Sequence, residues 1–204
     1  NKHFRNTKEE LDIVLATKPN ASLLGSPTVS SPFPFGLWIW NAFNPSNTKL
    51  SRWIVKAFGS KPVLMSYANP ALHESVGEAT LAKRGYFHGN ISYKLIPQKN
   101  PKKMKMQYFV DMGPLWRYDS IKYVNFPADA DSLISKDSAN SVIRNGDPFD
   151  LSSLENERQH LASLFRNNGY YYYSKEYAAY MADTISVPGK VLLRLQLADS
   201  LQDN

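Results

Sequence analysis

One series of signals (a turn, a helix, a glycine followed by an aromatic residue, then a hairpin) occurs twice in this chain, and it constrains the fold more than any other feature. Gly85-Tyr86-Phe87 answers Gly169-Tyr170-Tyr171. Upstream, the turn Gly59-Ser60-Lys61-Pro62 answers Gly146-Asp147-Pro148, at 26 and 23 residues before the Gly-aromatic pair. A helix that ends directly before a strand needs positive φ at its cap, which glycine supplies, and the tyrosine after it is placed to plug between helix and sheet. The 204 residues therefore divide into two small modules rather than one large domain. The boundary falls at about Gly113-Pro114. Residues 1–113 form one module with an insertion rich in proline and aromatic residues at about 19–48, and residues 114–204 form the other. The expected class is α+β, in tandem β-α-α-β-β modules with two helices on a three-stranded sheet in each. The short junction leaves little slack between them.

Residues 7–17 read as a short helix, with Thr7 and Glu10 as a capping box and Leu11, Val14 and Leu15 as its apolar stripe. Four prolines between Asn20 and Pro45 interrupt a run holding Phe33, Phe35, Trp38, Trp40 and Phe43. That composition predicts an irregular, aromatic-anchored segment. A further short helix is expected over 49–57, and another over 71–84 with Leu72, Val76, Ala79 and Leu81 inward, closed by Gly85. Asn90–Ile96 and Met104–Asp111 form a hairpin, and Trp116–Val124 a new strand. Asp129–Ile143 is weakly helical. After the turn at Asn145–Pro148 comes the clearest helix, capped by Asp150 or Ser152, with Leu154, Leu161, Leu164 and Phe165 buried. Tyr171–Asp183 and Lys190–Leu197 form a second strand pair around Val187-Pro188-Gly189, the latter strand alternating apolar and polar residues.

Apolar residues at 43% supply a core, and no apolar run approaches the ~20 residues of a membrane helix. The absence of cysteine excludes disulfides, zinc knuckles and thiol catalysis. His73-Glu74 does not continue into a zinc-binding helix pattern, and His160 beside Glu157 and Arg158 reads as an ordinary charged face. No nucleophile elbow, phosphate loop or dinucleotide fingerprint occurs, so no catalytic, cofactor or metal residue is expected. The net charge of +6 points to an anionic neighbour, and Lys94, Lys99, Lys102, Lys103 and Lys105 gather on one hairpin.

A module of this order, with its Gly-x-Pro turn, leucine-rich helix and Gly-Tyr before a hairpin, resembles the polypeptide-transport-associated (POTRA) domain of BamA/TamA-type outer-membrane assembly factors. The resemblance covers Trp116–Asp199 throughout and the first module from about Gly59 to Met112, whose opening strand is missing or precedes the chain. Lys18-Pro19-Asn20 to Trp38-Ile39-Trp40-Asn41, with Asn156-Glu157-Arg158 and Ala182-Asp183-Thr184, is similar to the TamA-like lipoproteins (TamL) of Bacteroidetes-type bacteria.

The resemblance implies a non-enzymatic region on the periplasmic face of the outer membrane, continued in the full protein by a membrane β-barrel. It would bind unfolded outer-membrane proteins or a periplasmic, TamB-like partner, with no cofactor. The mode implied is strand addition to a sheet edge, at Tyr171–Ala182 in the second module and Asn90–Ile96 in the first, with Tyr172, Tyr173, Tyr177 and Tyr180 either contacting the client or packing on their own helices. The motif Gly85, Tyr86, Gly146, Pro148, Gly169 and Tyr170 is structural. The alternative class is a basic α+β nucleic-acid-binding pair, for which the aromatic-basic signature of the familiar RNA-binding sheet is lacking. Nucleic acid is not the expected partner.

Overall fold

The computed structural model describes residues 2–16, 35–43, 48–58, 68–100 and 103–197. The turn Gly59–Pro62 and most of the insertion, at 17–34 and 44–47, lie outside the described residues. Helices α1 (Lys2–Leu15), α2 (Phe35–Phe43), α3 (Lys49–Phe58) and α4 (Pro70–Lys83) precede strands β1 (Asn90–Pro97), β2 (Met104–Asp111) and β3 (Arg117–Val124). Then follow α5 (Ala128–Asp137), α6 (Leu151–Asn167), β4 (Ala178–Asp183) and β5 (Lys190–Leu197). Strands pair in one sheet of two, β1-β2, and one of three, β3-β5-β4, so the fold is α+β.

The residues gather into two compact units, one of Asn1–Thr7, Glu78–Asn90 and Val110–Asn204, the other of Lys8–Gly77 and Ile91–Phe109. In the three-stranded unit, β3 runs parallel to β5 and β4 antiparallel to it. A parallel pair needs a long crossover, which α5 and α6 provide. Tyr118, Ile134, Leu154, Leu161, Phe165, Val191, Leu193 and Leu195 form its core. Val191, Leu193 and Leu195 sit at every second position of β5, as half-burial requires. The register slips between Tyr118 and Ser120, a bulge at Asp119, whose carboxylate takes a 2.6 Å hydrogen bond from Lys190 Nζ.

Helix α6 begins where Asp150, in extended conformation, accepts the Ser152 amide at 2.9 Å, so Asp150 is the cap. At the other end Tyr170 N donates to Phe165 O at 3.0 Å across Gly169 (φ +101°). The end of α4 repeats this bond for bond, Tyr86 N donating to Leu81 O at 2.9 Å across Gly85 (φ +85°). Both are Schellman closures, and the internal repeat is therefore present in the hydrogen bonding. The aromatic residues after the two glycines differ. Tyr86 is buried, whereas Tyr170 is 36% exposed with its ring edge-on to Phe165 at 5.7 Å, and Tyr173 packs on the same ring at 4.6 Å.

In the hairpin unit, α2 and α3 pack on one another, Leu11 is buried, and Ile91 of β1 lies against Gly77, where a Cβ would approach its Cδ1 to 2.5 Å. Tyr108 of β2 stacks on His73 and meets Tyr93 edge-on.

Several expectations are corrected. The first helix starts at Lys2, so Thr7 is not its cap and instead donates back to His3 O within the helix. Trp38 and Trp40 lie on a helix, because the prolines that break the segment fall outside Phe35–Phe43. On α4, Leu72 and Val76 are exposed and the buried stripe is Gly77, Thr80 and Leu81. Among the described residues the first hairpin forms a sheet of two strands.

Candidate polypeptide-binding edge

Strand β4 closes one side of the sheet: β5 pairs with it from Ala178↔Leu197 to Asp183↔Leu192, and among the described residues nothing pairs with its other side. In an antiparallel ladder alternate residues direct their N–H and C=O to opposite sides. Three of its six residues therefore turn hydrogen-bonding groups away from β5. The opposite edge is partly closed. Gly146 N donates to Tyr118 O (2.8 Å), Tyr118 N to Asp147 O (3.0 Å) and Phe149 N to Trp116 O (2.9 Å), so the Gly146-Asp147-Pro148 turn lies along the start of β3. That is the structural use of Gly146, at φ +88°, and of Pro148, which opposes Arg117 in the bridge.

The strand starts at Ala178, seven residues later than the tyrosine-rich pattern suggests, because Tyr170–Tyr173 make a turn directly after the α6 closure and Lys175–Tyr177 a 3-10 turn. The four tyrosines are therefore not one face. Tyr172 is 93% exposed beside an exposed Tyr171. Tyr173 packs on Phe165 and, at 5.6 Å, on Tyr177. Tyr180 lies on β4 with its ring against the core and the Arg158 guanidinium 5.5 Å from its centroid. Burial pushes the Tyr173 hydroxyl up to about 12 and the Tyr180 hydroxyl well above the usual range, and neither has a hydrogen-bond partner among the described residues. Tyr173 and Tyr177 also line an apolar cavity of about 170 Å³ with Phe126, Phe165 and Leu197, at the start of the edge. Met181 stands exposed on it and Ile185 just beyond its end. Asp183 ends it, accepting the Ile185 and Ser186 amides, and hydrogen bonds from Ser186 and these amides lower its pKa to about 2.

Two residues that the sequence places on an ordinary charged face, Arg158 and Glu157, are built into the packing of this unit. Arg158 donates Nε to Lys175 O (2.9 Å) and a second nitrogen to Glu155 (3.0 Å), tying α6 to the turn that launches β4. Glu157 is 1% exposed, not part of a charged surface; it accepts Tyr123 OH and Val142 N, each at 2.7 Å. His160 is likewise half-buried and bonded to Asp137 at 2.6 Å. These groups line a cavity of about 430 Å³ among β3, α5 and α6. The signal for Glu157 was its place three residues after Leu154 and four before Leu161, on the buried stripe.

No family model matches the sequence, and no curated protein does. Among solved structures the chain is similar to a crystal structure of BamA POTRA domains 3–5 from Haemophilus influenzae, with 13% identity and a TM-score of 0.37, over 78% of this chain and 55% of that one. A second is BamA from Haemophilus ducreyi lacking POTRA domains 1–3, with 12% identity and a TM-score of 0.38, over 78% and 26%. The chain thus spans about half of the first and a quarter of the second. Scores this low leave the fold to be read from strand order and helix placement. No helix among the described residues is long and apolar enough to cross a membrane.

Proposed function

We propose that this chain is a polypeptide-binding region of an outer-membrane protein assembly or translocation factor, acting at the periplasmic face of that membrane through POTRA-like modules at 1–113 and 114–204. The observation that carries this is the open β4 edge at the end of a β3-β5-β4 sheet backed by two helices. An extended client adds a strand there, its backbone satisfying the outward groups of Ala178–Asp183 without regard to sequence. Tyr172, Met181 and Ile185 contact the client's side chains, and the cavity walled by Tyr173 and Tyr177 receives one apolar side chain. Tyr180 acts from beneath, as packing. The clients are unfolded outer-membrane proteins or a periplasmic, TamB-like partner, and a lipoprotein of the TamL kind is the parent protein this reading favours.

A photo-crosslinking amino acid placed in cells at Met181, and at Lys122 on the opposite edge, tests the reading. Capture of outer-membrane proteins from Met181 with little from Lys122 is expected. Equal capture from both, or none from either in a folded protein, contradicts it.

A further inference from the structure

The charge of this chain is distributed unevenly. The hairpin unit holds eleven Lys and Arg against four Asp and Glu, a net +7, while the three-stranded unit holds thirteen against fourteen, a net −1. From Ile13 to His73 there is no acidic residue, and from Ala79 to Val110 there is none either. A repulsive excess of this kind within one small unit opposes its compact state and calls for an anionic partner.

Exposed apolar side chains accompany those cations. On α2, Trp38 is 51% exposed while its neighbour Ile39 is buried. On α3, which packs on α2, Leu50 is 67% exposed, and Arg52 and Lys56 lie one turn apart on the exposed side away from buried Ser51. The β1-β2 hairpin repeats the combination, with exposed Lys94, Lys103 and Lys105 among exposed Met104 and Phe109. Cations beside exposed tryptophan and leucine on short amphipathic helices match a layer that offers anionic headgroups and, a few ångströms deeper, acyl chains. Nucleic acid would use the cations and leave Leu50 without a contact. We infer that the α2–α3 pair of the hairpin unit docks on an anionic lipid surface, with Arg52 and Lys56 at the headgroups and Trp38 and Leu50 inserted below them. This docking is independent of strand addition at β4.

Co-sedimentation of the 204-residue chain with phosphatidylcholine vesicles, with and without phosphatidylglycerol, tests it. Binding to the phosphatidylglycerol vesicles alone, falling as salt rises, is expected. R52E/K56E lowers it by roughly tenfold or more, and W38S/L50S also lowers it. K122E/K136E, the same charge change in the three-stranded unit, leaves it unchanged. No sedimentation of the folded chain, or equal losses from both charge reversals, overturns the inference, as does binding to polyuridine RNA or polyglutamate in preference to vesicles. Should a variant fail to fold, vesicles with brominated acyl chains decide on the unmodified chain and W38F. Quenching of tryptophan emission that W38F diminishes supports insertion, and absence of quenching contradicts it.

Discussion

Glu157 illustrates how one carboxylate can hold three elements together. From α6 it accepts the Tyr123 hydroxyl of β3 and the amide of Val142, which follows α5 and its 3-10 turn. Removing it takes the acceptor from the part-buried Tyr123 hydroxyl and Val142 amide, so Glu157→Ala should destabilise the chain by about 1–3 kcal/mol in urea unfolding, and Glu157→Gln by less. The Tyr173 and Tyr180 hydroxyls present the reverse case, being buried with no partner among the described residues. Tyr173→Phe and Tyr180→Phe should leave stability equal or raise it by up to about 1 kcal/mol. Asp150 sets a pH dependence: burial opposes its ionisation, but hydrogen bonds from Ser152 and Arg84 outweigh burial and lower its pKa. Its contribution is therefore fully present above the ordinary aspartate range and lost as pH falls through the depressed value. Asp150→Asn should flatten the acid side of the stability profile. The stripe spacing of α6 made Leu154, Leu161 and Phe165 legible in the sequence. The partners of Glu157 were not, because Tyr123 and Val142 reach it only through tertiary packing.

At the level of elements, the two Gly-aromatic closures share a bond pattern but not a tolerance. Gly169 sits at positive φ in open space, whereas a Cβ on Gly85 would lie 2.7 Å from Phe149 O. Gly169→Ala should cost about 1–2 kcal/mol, and Gly85→Ala distinctly more, in the same unfolding assay. On β4, Met181 and Ala182 are adjacent and exposed, and one of them turns its N–H outward. Proline at one position should therefore remove a ladder hydrogen bond to β5 and destabilise the sheet. At the other, proline should leave the fold intact and abolish client capture. Order and type of elements were readable from Gly85, Gly169, Pro148 and the β5 alternation. The start of β4 was not, because Tyr171 and Tyr172 carry strong strand propensity yet sit in the turn that the Tyr173 N to Tyr170 O hydrogen bond closes. Leu72 and Val76 likewise satisfied a helical period on the side of α4 that faces solvent.

Over the whole molecule, chemistry is divided between the units: an open sheet edge in the nearly neutral one, and concentrated positive charge in the other. The charge asymmetry was legible in the sequence, where residues 1–113 hold fifteen Lys and Arg against six Asp and Glu and residues 114–204 nine against twelve, but the discontinuous course of the chain through the two units was not. Client binding as proposed requires β4 to accept an added strand. Amide hydrogen exchange across the chain, with and without a urea-diluted outer-membrane porin, tests it most directly. Slowed exchange confined to Ala178–Asp183 and its flanks, with the Ser120–Val124 edge unchanged, is the predicted result. Unchanged exchange at β4 when the porin is demonstrably bound would rule out strand addition at this edge.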